Sequence, residues 1–367
     1  MRIALVKENK NHEYRVALLP EQVALLHQAG HLIEVESAAG QGIGISDQEY
    51  EQAGASIVPS HERHRLWQQA ELILKVKEPS LEEASWLHGE QILFTYLHLA
   101  PLPELTQALL SSGVTALAYE TLSTDDGYLP LLAPMSIIAG RLAAQVGAQY
   151  LQSQYGGSGQ LLASVMDLPP ARVDVLGAGV VGSQAALVAA GMGAEVHLWD
   201  ISQKALDRVA SRGMNAKLHL LQGELDPQSL SNTSLLIGAV LVPGGSAPKL
   251  IKPAHLEAMP AKSVFVDVAI DQGGCSTSSR VTSHDQPTYW QHGVQHYCVA
   301  NMPGIVASTA SKALSAATFP YVQQLAEQGM AALAQPELQR ALNIHQGHCY
   351  QAEVAKAQGL ALKTWAD

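Results

Sequence analysis

The stretch Val173-Asp174-Val175-Leu176-Gly177-Ala178-Gly179-Val180-Val181-Gly182 constrains the chain more than any other. A β-branched run ends in Gly177-x-Gly179-x-x-Gly182, and an alanine-rich segment from Ser183 to Met192 follows. Val196-His197-Leu198-Trp199-Asp200 then closes a second apolar run with an acid. This order of strand, turn, helix and strand is that of a dinucleotide-binding βαβ unit. There Gly177 makes the tight turn, Gly179 lets the backbone approach a pyrophosphate, and Gly182 lets the helix pack on the strand. The helix N-terminus offers N–H groups and a partial positive charge to the phosphates. Gly-x-Gly-x-x-Gly alone is weak evidence; here the strand, the helix and the acid accompany it. Asp200 is placed to accept adenosine ribose hydroxyls and to repel a 2′-phosphate, which favours NAD over NADP. Its plainer reading is a turn residue or a cap. Asp174 breaks the pattern, because a buried parallel strand usually carries an apolar residue there.

A chain of 367 residues has core enough for two domains. Its net charge of −11, with no basic run, argues against nucleic acid or an anionic membrane as partner. Cys275, Cys298 and Cys349 form neither a C-x-x-C pair nor a disulfide framework, which points to a reducing compartment, the cytoplasm. No metal-ligand pattern stands out. Met1 to Val6 reads as a strand at once, and Lys7, Glu8 and Lys10 interrupt any signal-peptide core. Leu176 to Ala194 is uncharged and nearly long enough to span a membrane, but its glycines fit the βαβ unit better.

Apolar runs at Ile3–Val6, His31–Glu36, Leu72–Lys77, Ile92–Tyr96 and Thr115–Tyr119 read as strands, alternating with helical segments such as Pro20–Ala29 and Asp47–Gly54. Alternation of this kind gives a parallel α/β sheet. This first domain has no glycine-rich phosphate loop, so the substrate is assigned to it. A long alanine-rich helix over Ser136–Gln152 leads into the second domain. Further strands are expected at Leu235–Val240, Val264–Ala269 and Tyr297–Ala300, and helices over Ser308–Phe319 and Tyr321–Leu333. The expectation is two Rossmann-like, doubly wound α/β domains with parallel sheets, joined by long helices, with the active site in the inter-domain cleft. Residues 1–130 and 306–367 form the substrate domain, and 131–305 the NAD-binding domain.

Several polar residues stand at expected strand ends, where catalytic groups gather in open α/β folds. They are Lys77, His98, Asp271 and Asn301, with Arg15 in the loop after the first strand. Each has a plainer reading: a solvated loop arginine, an edge lysine, a satisfied histidine, a capping aspartate. Periodicity alone leaves the set unassigned.

Longer motifs go further. They are Lys7-Glu8 with Arg15-Val16-Ala17, Lys75-Val76-Lys77-Glu78-Pro79, Phe94-Thr95-Tyr96-Leu97-His98-Leu99-Ala100, Leu132-Ala133-Pro134-Met135-Ser136, Gly238-Ala239-Val240-Leu241-Val242-Pro243-Gly244, Asp267-Val268-Ala269-Ile270-Asp271-Gln272-Gly273-Gly274 and Val299-Ala300-Asn301-Met302-Pro303. Together, from residue 1 to about 360, the chain closely resembles the alanine dehydrogenase family. The resemblance implies reversible oxidative deamination of L-alanine to pyruvate and ammonium with reduction of NAD, and a hexamer of like subunits. It implies that Arg15 and Lys77 hold the substrate carboxylate and carbonyl, with Asn301 beside them. His98 becomes the general acid/base and Asp271 the second catalytic group.

On the cofactor side, the resemblance gives the turn residues Gly177, Ala178, Gly179, Val180 and Gly182, Ser136 at the pyrophosphate and Asp200 at the ribose. Val240, Leu241, Val268, Ala269, Ile270, Val299 and Met302 line the nicotinamide side, and Arg280 is a further contact. Lys204 is the nearest counterpart of a basic residue that the family carries one place later, where Ala205 stands. Other departures are Leu221–Gln222 on the adenine side and Ala307-Ser308 in place of a Pro-Lys/Arg pair. Lys75 rivals Lys77, since strand alternation points both side chains to one face. Alternatives are the nucleotide-binding subunit of a proton-translocating transhydrogenase, a non-catalytic NAD sensor, and an opine-type or other amino-acid dehydrogenase on the same scaffold.

Overall fold

A computed structural model describes residues 1–240 and 247–365. The chain divides into two compact units, Met1–Met135 with Gly304–Asp367, and Ser136–Pro303. The strands in chain order are β1 (Arg2–Leu5), β2 (Leu32–Glu36), β3 (Ser56–Val58), β4 (Leu72–Leu74), β5 (Ile92–Thr95) and β6 (Thr115–Ala118). Then come β7 (Arg172–Leu176), β8 (Glu195–Asp200), β9 (Lys217–Leu220), β10 (Thr233–Gly238), β11 (Val264–Asp267), β12 (Thr288–Gln291) and β13 (Val294–Tyr297). Finally β14 (Leu342–His345) and β15 (His348–Cys349) return to the first sheet.

The first unit's sheet has the order β15-β14-β6-β5-β4-β1-β2-β3, and the second's β12-β13-β11-β10-β7-β8-β9. Both are doubly wound: the first strand of each sits centrally, and the next ones are laid outward on either side. Strand order therefore reverses between β1 and β4 in the first sheet and between β7 and β10 in the second. Loops leaving neighbouring strands in opposite directions open a crevice at such a point, where ligands bind in this class of fold.

The pairings are parallel except at one edge of each sheet. There β12 runs antiparallel to β13, and β14 to both β6 and β15. The expected parallel sheets thus each carry an antiparallel edge, and for the two hairpins the reason is local. His292-Gly293 and Gln346-Gly347 are two-residue turns with positive φ at both positions, the backbone that folds a strand back on its neighbour.

Buried strands explain the apolar runs. Ile3, Leu5, Leu72, Leu74, Leu93 and Phe94 are all fully buried. Helix Pro20–Gln28 starts on proline at its first turn, and Ser46 and Ser80 open reciprocal caps with Glu49 and Glu83. Several boundaries differ from expectation. β4 ends at Leu74 instead of Lys77, and the helix expected from Ser136 begins at Ala133. The strand expected at Tyr297–Ala300 is β13, which ends at Tyr297. The two helices expected after Ser308 are one, Ala307–Gln328, with Pro320 inside it.

Candidate functional site

In the first unit, the expected residues follow the central strands. Arg15 lies in the loop after β1 and is almost fully buried. Its Nε donates to Glu13 Oε1 at 2.7 Å and its Nη2 to Glu13 Oε2 at 2.6 Å, while Nη1 meets the Met135 sulfur at 3.1 Å. Burial alone would lower the guanidinium pKa; the Glu13 carboxylate outweighs it and raises it, so the cation is retained. Glu13 thus takes the Nε–Nη2 edge of the guanidinium fork.

The structure separates the two lysines that alternation left as rivals. Because β4 ends at Leu74, the strand rule no longer applies to them. Lys75 is buried, with Nζ 3.2 Å from Glu8 Oε2 and 3.6 Å from Glu83 Oε1. Lys77 is half-buried, and its ammonium has no hydrogen bond or ion pair among the described residues. Its backbone is held on both sides: the N–H donates to Glu8 Oε1 at 3.4 Å and the carbonyl accepts from Thr95 Oγ1 at 2.9 Å.

His98 follows β5, is exposed, and has a positive φ of 48°. Contacts with Glu120 and Tyr96 support this backbone, which an L-residue rarely adopts. The His98 and Leu97 N–H groups donate to Glu120 Oε1, at 2.7 and 3.3 Å. The imidazole stacks on Tyr96 with centroids 5.7 Å apart, and Nδ1 lies 3.9 Å from Glu120 Oε1. Tyr96 donates its hydroxyl to Leu131 O at 2.6 Å. Burial raises the Tyr96 phenol, with Arg15 opposing and Glu120 adding to the shift, so both lie within its electrostatic reach. Lys77 through Thr95, and His98 and Arg15 through Tyr96, therefore converge on the end of β5.

In the second unit, the glycine turn follows β7 at the reversal of strand order. Gly177 has φ +103°, and a Cβ there would lie 2.6 Å from Ala239 O, the loop after β10. A Cβ on Gly182 would stand 1.7 Å from Gly177 O, so the third position of the helix Val180–Gly191 admits only glycine. Gly179 is different: nothing lies within 4 Å of its Cβ position. That open space, and a helix N-terminus without a side-chain cap, suit a phosphate. Asp200 Oδ2 accepts the Ala178 N–H at 2.6 Å and Oδ1 the Ser202 N–H at 2.7 Å, which fixes the acid against the turn. The misplaced Asp174 is fully buried and fully paired, accepting from Arg172, Trp199 and Thr233.

Asp271 is exposed at the end of the short 3-10 turn Val268–Gln272, which Asp267 caps by accepting the Ala269 N–H. In that turn Ala269 and Ile270 are buried and Val268 is half-buried. Val299 and Met302 are buried and Val240 half-buried, and Asn301 between them has φ +60°. Ser136 is half-buried in helix Ala133–Tyr150, and Lys204 is exposed on helix Gln203–Ala210. The Arg280 guanidinium lies 4.2 Å from the Tyr289 ring centre. Leu241 lies outside the described residues. Among the described residues, no group of three or more His, Cys, Asp or Glu side chains could hold a metal ion. Sequence reading had missed Glu13 and Glu120. Glu120 follows β6 as an acid at a strand end, the signal that singled out His98 and Asp271.

Comparisons with known proteins place the chain in a family. Family models described as alanine dehydrogenase/PNT N-terminal and C-terminal domains match residues 4–139 and 143–352. The chain is 50% identical over 363 residues to an alanine dehydrogenase of Halomonas elongata, covering 98% of this chain and 97% of that one. To that of Mycolicibacterium smegmatis it is 47% identical over 360 residues, covering 97% and 96%. A solved L-alanine dehydrogenase superposes with a TM-score of 0.92 at 46% identity over 97% of this chain and 99% of that one. A transhydrogenase from Sinorhizobium meliloti superposes with a TM-score of 0.81 at 26% identity, over 96% and 99%.

Proposed function

The chain belongs to the alanine dehydrogenase/PNT family, and from that membership we propose that it is an NAD-dependent alanine dehydrogenase, interconverting L-alanine and water with pyruvate and ammonium. The single observation that carries the reading is the pair of cations at the first reversal point. Arg15 is kept charged by Glu13, and Lys77 is held by its backbone, its ammonium without a hydrogen bond or ion pair among the described residues. A small keto acid needs one cation for its carboxylate and one for its carbonyl.

Bound NAD would be held by the turn from Gly177 to Gly182 and by Asp200, and it supplies the hydride acceptor. Arg15 would hold the carboxylate through its guanidinium charge. Lys77 would polarise the carbonyl or imine oxygen or nitrogen as a point charge. Removal of hydride from the α-carbon leaves an iminium, to which water must add. His98 takes a proton from that water and returns one to the leaving ammonia, the work suited to an imidazole. Asp271 orients the water or offsets the cationic intermediate. Asn301 lies with the substrate contacts. Ser136, Lys204, Val240, Leu241, Val268, Ala269, Ile270, Arg280, Val299 and Met302 belong with the cofactor. Residues 1–130 and 306–367 serve as the substrate domain and 131–305 as the NAD-binding domain.

A homohexamer and a cytoplasmic location complete the reading. Leu161, Val165, Met166 and Leu168 expose an apolar surface suited to contact between copies, and no described helix is long and apolar enough to cross a membrane. The test is NADH oxidation with ammonium and a panel of 2-keto acids, on the fraction that sediments as a hexamer. Pyruvate should be the preferred acid. Tight NADH binding with no turnover of any keto acid would sink the proposal, and a monomeric active fraction would remove the assembly.

A further inference from the structure

Five charged side chains lie beneath Lys77 in the first unit: Glu8, Glu36, Arg63, Lys75 and Glu83. Each is less than a tenth exposed. Arg63 joins Glu36 at 3.1 Å and also joins Glu83, and Lys75 joins Glu83 and Glu8. Three carboxylates against two cations is an unbalanced set, and burying it is costly. Stability alone does not account for it, since apolar residues of similar volume serve as well or better.

Glu36 and Glu83 accept the N–H groups of Lys7 at 2.9 Å and Ser80 at 2.8 Å, but only Glu8 holds the backbone of Lys77 itself. Beyond Leu74 the chain keeps bonds to β5, with the Lys75 N–H on Phe94 O at 3.4 Å and the Tyr96 N–H on Val76 O at 3.2 Å. On the other side, β1 has already ended at Leu5. The Val76 N–H there meets Glu8 Oε1 at 2.7 Å instead, and the Lys77 N–H meets the same oxygen at 3.4 Å. Thr95 completes the hold from β5 through the Lys77 carbonyl. The Lys75 ammonium lies 3.2 Å from the other Glu8 oxygen.

We infer that Glu8 is a positioning residue: through the backbone of Val76 and Lys77 it sets where the Lys77 ammonium stands. The inference rests on Lys77 as a substrate contact, but the anchoring itself can be read without turnover.

The experiment compares variants of the full-length protein. Glu8→Leu and Glu83→Leu remove the same charge from the same cluster, but only the first frees the two amides. Glu8→Leu should raise the KM for pyruvate on the order of tenfold, as a displaced binding group does. It should also speed hydrogen exchange at Val76 and Lys77 and leave the Kd for NADH within about twofold. Glu83→Leu should change neither the KM nor the exchange. Glu8→Gln, which keeps an acceptor oxygen, should recover most of the loss. If Glu8→Leu does not fold, Thr95→Val carries the test: it keeps the volume, frees the Lys77 carbonyl, and should raise the KM several-fold. Equal KM effects from Glu8→Leu and Glu83→Leu would overturn the inference. So would unchanged exchange in Glu8→Leu, or, should that variant not fold, an unchanged KM in Thr95→Val. A wild type inactive on pyruvate refutes the proposed activity instead, and the exchange arm still decides the anchoring.

Discussion

Lys75 and Lys77 carry the same chemistry two positions apart, and burial divides their roles. Lys75 sits between two buried carboxylates, so removing its charge leaves Glu8 and Glu83 without their shared cation. Breaking a buried pair from one side costs about 3–5 kcal/mol. Lys77 has no such ion pair among the described residues, and Glu78, the acid that feels its charge, keeps Lys10 as a partner. Lys75→Met should therefore lower the melting temperature sharply, whereas Lys77→Met should melt close to wild type and lose pyruvate binding. Thermal melts beside initial rates check both. A stable Lys75→Met protein without activity, or a Lys77→Met protein with normal pyruvate affinity, would reverse the assignment.

The glycine turn lets two functions be separated within a single element. Gly182 has no room for a methyl group because the carbonyl of Gly177 fills the space. Gly179 has room, which leaves close approach of a ligand as the reason for glycine there. Gly182→Ala should lower both the melting temperature and NADH affinity. Gly179→Ala should leave melting unchanged and weaken NADH alone, as measured by fluorescence titration. Full NADH affinity in Gly179→Ala would place the pyrophosphate elsewhere. This turn was legible in the sequence because its constraints lie within ten residues of one another. Long buried strands were legible for the same reason. The short edge strands β3 and β9 were not, since three and four residues are too few for a periodicity to stand out, and the hairpins β12–β13 and β14–β15 hid behind His-Gly and Gln-Gly turns in place of Asn-Gly. Pro320 split one helix into two on paper, because proline usually ends a helix. In the candidate site, strand-end position drew attention to Lys77 and His98. Their supports could not be read that way. Glu120 meets the His98 backbone across 22 positions and Glu8 meets Val76 across 68, and only the folded sheet joins them.

For the molecule as a whole, the response to acid depends on groups of opposite sign. His296 is fully buried, and desolvation lowers its pKa to about 4, against the lesser pull of the Val294 carbonyl. Its ring bonds Ser278 Oγ at 2.9 Å and Val294 O at 3.1 Å, and the Phe265 and Tyr289 rings pack on it. A neutral ring satisfies both bonds by donating from Nδ1 and accepting at Nε2, which leaves no lone pair for a second proton. Between pH 6.5 and 4 the unfolded chain binds a proton here that the folded chain refuses. The stability due to this group is complete above about 6.5 and is lost as pH falls through 4, a change of roughly 3 kcal/mol. Glu8, Glu36 and Asp267 work the other way: burial raises their pKa values, so the folded chain holds their protons more firmly as pH falls. The wild-type curve alone is a sum of these terms. Subtracting the curve of His296→Gln isolates the histidine, because the acids are common to both. The variant should melt lower than wild type at pH 7 and should lose less on acidification, so the two curves converge by pH 4. Parallel curves across that interval would mean that His296 accepts its proton as readily in the folded chain as in the unfolded one.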